Sequence, residues 1–453
     1  MNQDRSAEIF ARNAQVIAGG VVSLNRLTEP KLAFSRAQGA HLWDVDGNRY
    51  IDYHLAFAPH ILGHNDPVVN AAVSEALQRG ESLYGSGTTQ AEGELAALIC
   101  ELVPGIEQVQ LTNTGSEATY HAVRIARAHT GREHLIVMQG GYNGWHNDVA
   151  VNLMTPLAEL GPRVSPGEYP LAPLTAGVPQ GVLDRLHAVN FNDLDSIEYV
   201  MRRYPVAGVI LEPVLQNIGV VPPLPGYLAG LRALCDRYGA VLIFDEVKTG
   251  FRAALGGYQS VAGVRPDLTI LGKAVANGFP LGVIGGSRKL MQHFVDPDPK
   301  RRVMIAGTYN AHPVSTAAGL ATLGRLSAQN GAIYAELEQK TERLAQGLAE
   351  VARNCGVEAI PSRVGSAFCL YFMDHAPTDW HDLAQHHDAA LDTAFRRELI
   401  SRGSYAFPLA SKQWSLSAAH TDADLAQTLA AAGPALVAAQ AAVRPAKQAG
   451  GRA

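Results

Sequence analysis

From residue 108 to residue 285 the chain alternates between short, unbroken apolar runs and longer segments whose apolar positions recur at helical spacing. Residues 108–113, 134–138, 207–212 and 240–245 are such runs. They lack polar alternation, which is the pattern of strands buried on both faces of a parallel sheet. Residues 117–130 and 226–238 read as helices, the first stopped by Gly131. Strand and helix in alternation predict an α/β fold, a mostly parallel central sheet with helices on both faces.

Outside this region the pattern changes. Residues 7–18 read as a short amphipathic helix, and 41–53 as two alternating runs joined at Asp46-Gly47, a hairpin signal. Val68, Val69, Ala72, Val73, Ala76 and Leu77 recur at helical spacing, with Asp66 as cap and Gly80 as stop. Further helices are predicted over 90–102, after residue 313, and over 331–354. Residues 152–181 are rich in Pro, Gly and Leu without any period, and so long a loop in a compact chain predicts a functional lid. The expected organisation is an N-terminal segment, 1–60, packing with a small lobe, a large domain, 61–314, a C-terminal small α+β domain, 315–440, and a disordered tail, 441–453.

Composition narrows the function classes. At 453 residues the chain needs more than one lobe, and it has enough buried area to do without covalent staples. Its 37 basic and 42 acidic residues leave a formal charge of −5 with no basic tract, which argues against nucleic acid. Cys100, Cys235, Cys355 and Cys369 stand far apart without a second ligand at metal spacing, and read as buried thiols in a reducing compartment. With no apolar leader and no run of 18 or more apolar residues, the expectation is a soluble cytoplasmic protein without membrane or metal.

Charged groups then stand where apolar runs end. Glu212, Asp245 and Lys273 each close one. An acid and an amine delivered to the same sheet edge match a pyridoxal phosphate site: the lysine holds the aldehyde as a Schiff base and the acid keeps the pyridine nitrogen protonated. The other reading of Asp245 and Lys273 is a core ion pair. Lys248 competes for the lysine role, but a lysine leading into Gly250 is expected to face solvent or pair with Glu246. Thr114, Gly115 and Ser116 make a tight turn between a strand and a helix N-terminus, an anion site by virtue of free N–H groups and the helix dipole. The turn is neither GxGxxG nor a Walker loop, which argues against a dinucleotide or ATP. Tyr142, set among Gly140, Gly141 and Gly144, reads equally as a ring that stacks on a flat ligand or as one that fills a surface groove.

Asn113 to Thr119, Glu212-Pro213, Phe244 to Arg252, Leu271-Gly272-Lys273 and Gly307-Thr308 occur in the order and spacing of class III aminotransferases, of pyridoxal-phosphate fold type I. From Gly19 to about Asp424 the chain most resembles the glutamate-1-semialdehyde aminomutase subgroup. The resemblance implies that Lys273 is the Schiff-base lysine, that Asp245 pairs with the ring nitrogen, and that Tyr142 and Val247 cover opposite ring faces. It implies phosphate binding by Thr114, Gly115 and Ser116, completed by Thr308 from a neighbouring subunit, hence a homodimer with shared sites. Ser23, Arg26, Asn217 and Glu212 fall on the substrate side, Arg26 offering a planar fork to a carboxylate.

Three departures stand out. The family's Tyr-His-Gly-His is Tyr142-Asn143-Gly144-Trp145, its Trp-Gly-Pro is Phe57-Ala58-Pro59 after Ala56, and a late acidic residue is replaced by Lys412. A cation near the substrate's amino end repels a second ammonium, so Lys412 argues for transfer between an amino acid and a keto acid by a ping-pong route. The alternatives are an aminomutase-like intramolecular transfer, and a racemase or decarboxylase using the same cofactor.

Overall fold

The computed structural model describes residues 3–450, with side chains described as far as residue 443. The chain forms two compact units: residues 67–335 with 377–386, and residues 1–66 with 336–376 and 387–453.

The larger unit is built on seven strands: β1 (Gln108–Thr112), β2 (His134–Met138), β3 (Leu186–Val189), β4 (Val206–Leu211), β5 (Val241–Asp245), β6 (Leu268–Leu271) and β7 (Gly282–Gly286). Their spatial order is β1-β7-β6-β5-β4-β2-β3. Only β7 runs against its neighbours, and all other pairings are parallel. Every residue of β4, β5 and β6 is buried, as strands covered on both faces must be. The core between sheet and helices includes Ala118, Ala122, Val137, Ile210, Ile243 and Ile270.

Helix α1 (Gly115–Thr130) follows β1, two residues earlier than the expected start at Glu117. Thr114 takes the N-cap: its side chain accepts from Glu117 N, and the Glu117 carboxylate returns bonds to the N–H groups of Asn113 and Thr114. The helix ends at Gly131, with φ at 68°. Strand β3 and the helix Leu194–Met201 were not anticipated from the sequence; a four-residue strand containing His187 gives too short and too polar a run.

Residues 152–181 hold one short helix, Leu157–Leu160, and the start of another, Gln180–Leu183, and are otherwise irregular. A distant segment straps them down. Trp380 Nε1, on helix α2 (Trp380–His386), donates to the Thr155 oxygen at 2.8 Å, and Arg163 pairs with buried Asp379 at 2.6 Å. These bonds are why 377–386 belongs to the larger unit. The helix Pro313–Ser327 does so as well, packing on Pro67–Gln78, Gln90–Leu102 and the turn Lys273–Ala276. The unit boundaries at 66/67 and 335/336 therefore differ from those expected at 60 and 314.

In the smaller unit the strands His41–Asp44 and Arg49–Asp52 flank the turn at Gly47, joined by Phe34–Gln38 on one side and Ser404–Tyr405 on the other. A second sheet pairs Ile360–Val364, Ala367–Tyr371 and Trp414–Ser415. Tyr53, Leu344, Phe368, Phe395, Trp414 and Leu436 lie in its core. The N-terminal helix spans Asp4–Asn13, earlier than the expected 7–18, and a turn leads from it to Gly19 and Gly20, both at positive φ. The last helix, Asp422–Gly450, overlaps the start of the expected disordered tail, whose final residues, 451–453, lie outside the described residues. Over Asp422–Val443 this helix is long and apolar enough to cross a membrane by length and composition, and it buries Leu425, Ala432, Ala435, Leu436 and Ala439 in the unit's core.

Candidate active site

Strands β1, β2, β4, β5 and β6 end at one edge of the sheet, and the loops that follow them enclose a cavity of about 280 Å³. The phosphate turn, Thr114 to Ser116, forms one side and Tyr142 another. Glu212, Asn217, Asp245, Val247, Lys248 and Lys273 complete the wall.

Asp245 closes β5 and is 3% exposed. Its carboxylate accepts from Asn143 Nδ2 at 2.9 Å and from Val247 N at 3.0 Å. Burial pushes its pKa up to about 7, with the nearby Glu212 charge adding to the rise and the Asn143 bond opposing it. Lys273 follows β6 in a short turn, at a positive φ of 49° that a side chain other than glycine adopts at a cost. Burial holds its amine below the usual lysine range, against the pull of Asp245 and Glu212. An amine whose proton is loosened by burial and an acid whose proton is tightened by it thus line the same cavity.

The turn that opens α1 lines the same cavity. The N–H groups of Gly115 and Ser116, in the first turn of α1, have no acceptor among the described residues. Gly115 is required there by packing, since a Cβ would meet Val247 Cγ2 at 2.6 Å. Tyr142 is partly buried; its hydroxyl pKa is raised by burial and by Asp245, and lowered by a bond with Ser116.

Glu212 lines the cavity and is held by groups on two of its loops. It is 2% exposed, and its carboxylate accepts from the N–H groups of Tyr142 (3.0 Å) and Gln216 (2.9 Å) and from Asn217 Nδ2 (2.9 Å). The expectation for Lys248 is overturned. The residue is 8% exposed rather than solvent-facing, and Nζ donates to the Gln216 oxygen at 2.7 Å. Glu246 is taken instead by the N–H groups of Tyr258 and Gln259, the Gln259 amide and the Thr249 hydroxyl. Thr308 is exposed and does not line the cavity of its own chain. Arg26, exposed, and Ser23 lie at a short turn of the smaller unit, and partly buried Lys412 of the same unit precedes its Trp414–Ser415 strand.

Asn143 was read from the sequence only as a departure from a pattern. In the structure it is the side-chain partner of Asp245, and its place beside Tyr142 was the one available signal.

The profile of the family described as Aminotransferase class-III matches residues 23–391. A glutamate-1-semialdehyde 2,1-aminomutase of Syntrophobacter fumaroxidans is 42% identical over 444 residues, 96% of this chain and 98% of that one. Among solved structures, an omega-transaminase from Sphaerobacter thermophilus superposes with a TM-score of 0.88 at 32% identity, covering 97% and 100% of the two chains. A beta-phenylalanine aminotransferase from Variovorax paradoxus gives 0.81 at 31% identity, covering 97% and 95%.

A mostly parallel sheet whose edge carries a buried acid, a low-pKa lysine and a helix N-terminus defines a pyridoxal-phosphate enzyme of fold type I. The chain belongs to the class III aminotransferases, whose cofactor is pyridoxal 5′-phosphate. The residues present fit it: free N–H groups for the phosphate, and a buried carboxylate without a direct cation for the ring nitrogen.

Proposed function

We propose that the chain moves an amino group from an amino acid to a keto acid in two half-reactions at this cavity. The observation that carries the reading is the convergence of Lys273, Asp245 and the open first turn of α1 on one cavity. The cofactor supplies an aldehyde for the amine and a ring that accepts electrons from the adjacent carbon. Lys273 Nζ, its pKa lowered by burial, would hold the cofactor's aldehyde and, when freed by the donor amine, would take the proton from the amine-bearing carbon on Nζ and return it to the cofactor's carbon. Asp245 would keep the ring nitrogen protonated, and Asn143 aims the carboxylate. Gly115 and Ser116 would hold the phosphate with Thr114 beside them, and Tyr142 and Val247, on the same cavity, would cover the ring. Arg26, with Ser23 and Asn217, binds the substrate carboxylate, and Lys412 disfavours a second ammonium.

Exposed Thr308 reaches a cavity in a second copy of the chain, and exposed Leu83, Tyr84, Met304 and Tyr309 supply apolar surface for that dimer. A panel of α- and β-amino donors against pyruvate and 2-oxoglutarate tests the reading: keto product forming in proportion to amino product supports it.

A second reading is intramolecular transfer on one amino-aldehyde. The name of the Syntrophobacter relative, at 42% identity, favours it over the two-substrate reading. Turnover of glutamate 1-semialdehyde without any keto acid selects this second reading, and turnover only with a keto acid selects the first.

A further inference from the structure

Lys248 is a buried cation on the cavity wall for which the reaction above has no use. Its Nζ donates to the main-chain oxygen of Gln216 at 2.7 Å, while the N–H of Gln216 donates to Glu212 Oε2 at 2.9 Å. One residue's backbone is therefore gripped by a cation at its oxygen and an anion at its nitrogen. Glu212 Oε1 extends the set, accepting from Tyr142 N at 3.0 Å and from Asn217 Nδ2 at 2.9 Å. The loops after β2, β4 and β5, three neighbouring strands, are thus joined in series by two buried charged side chains.

Hydrogen bonds to an ionised group are roughly twice as strong as neutral ones, and exclusion of water preserves that strength. Burying an ammonium is costly. An apolar side chain of similar length would fill the same space without that cost, so the cation is explained by what it holds.

We infer that Lys248 and Glu212 form a clamp on the Gln216 backbone that fixes Asn217 at the cavity wall. Lys248 is then a positioning residue for the substrate, acting through Asn217, and Glu212 acts with it rather than on the substrate. The inference rests on the proposed amino-group transfer for its kinetic arm and on the fold alone for its structural arm.

Lys248→Met tests both. In the cofactor-free chain, amide exchange over residues 212–218 is expected to quicken about tenfold relative to wild type, without change in the strands. In the holoenzyme, KM for the amino donor is expected to rise about tenfold, while the dissociation constant for pyridoxal phosphate changes less than about threefold. Lys248→Arg, which keeps a cationic donor, should return KM toward wild type. Adding Asn217→Ala to Lys248→Met should cost little more than Asn217→Ala alone, since the lysine acts through the asparagine. Unchanged exchange over 212–218 overturns the clamp, whatever the activity. Additive kinetic effects, or a cofactor dissociation constant that rises in step with KM, overturn the positioning role. A wild-type chain that binds the cofactor yet transfers no amino group defeats the proposed function, and the exchange experiment then decides the clamp by itself.

Discussion

A buried acid with no cation bound beside it holds its proton more tightly in the folded chain than in the unfolded one. Asp245 rises from 3.8 to about 7 for this reason, so in the cofactor-free protein its contribution to stability is complete below about pH 4 and is lost as pH climbs through 7. The loss amounts to roughly 4 kcal/mol by the linkage relation. His146 and His420, each pushed down to about 4 by burial, act in the opposite direction, losing stability as pH falls from 6.5 towards 4. They are common to wild type and variant and cancel in a difference. The thermal midpoint of Asp245→Asn minus that of wild type, both without cofactor, should therefore grow between pH 4 and 8; a flat difference refutes the assignment. Lys273 admits a more direct check. Borohydride reduction of the holoenzyme should attach the cofactor covalently to wild type and not to Lys273→Ala, and mass spectrometry reads the result; attachment to Lys248 in the wild type would reverse the choice between the two lysines.

At the scale of elements, the anion site depends on how closely α1 approaches the loop after β5. Gly115 meets Val247 where no Cβ fits, the clash being at 2.6 Å. Gly115→Ala should push the first turn away from the cavity, at about 1–3 kcal/mol for overpacking. The expected readout is a pyridoxal phosphate dissociation constant at least about tenfold higher, with helix content by circular dichroism unchanged; equal affinity would remove the phosphate role from this turn. The strands and the body of α1 were readable because their signals are local, apolar runs, helical spacing and a glycine stop, whereas the Thr114–Glu117 capping box that sets its start was not read. Strand β3 was not, and neither was the strap formed by 377–386, since a bond from Trp380 to Thr155 leaves no trace in the periodicity of either segment.

For the whole molecule, the decisive question is whether one cavity draws on two chains. Lys273→Ala and Thr308→Ala are each expected to be severely impaired alone. If Thr308 serves the partner's cavity, a mixed dimer holds one site with both lesions and one with neither. Mixing after reversible dissociation should then restore up to about a quarter of wild-type activity, from the half of dimers that are mixed and the one intact site in each. No recovery in demonstrated mixed dimers excludes the shared site. What the sequence by itself determined is the alternating α/β plan, the motifs of class III and the positions of Lys273, Asp245 and the phosphate turn. These follow from local rules, because a buried parallel strand presents its last residue to one edge and a helix start exposes free N–H groups. Only the tertiary structure decided which side chains share partners across that edge. It joined Asn143 to Asp245, turned Glu212 inward to Tyr142 and Asn217, and buried Lys248 against Gln216. All but the Glu212–Asn217 bond bridge loops tens of residues apart, and a hydrogen bond depends on distance and angle in space, which residue order along the chain does not contain.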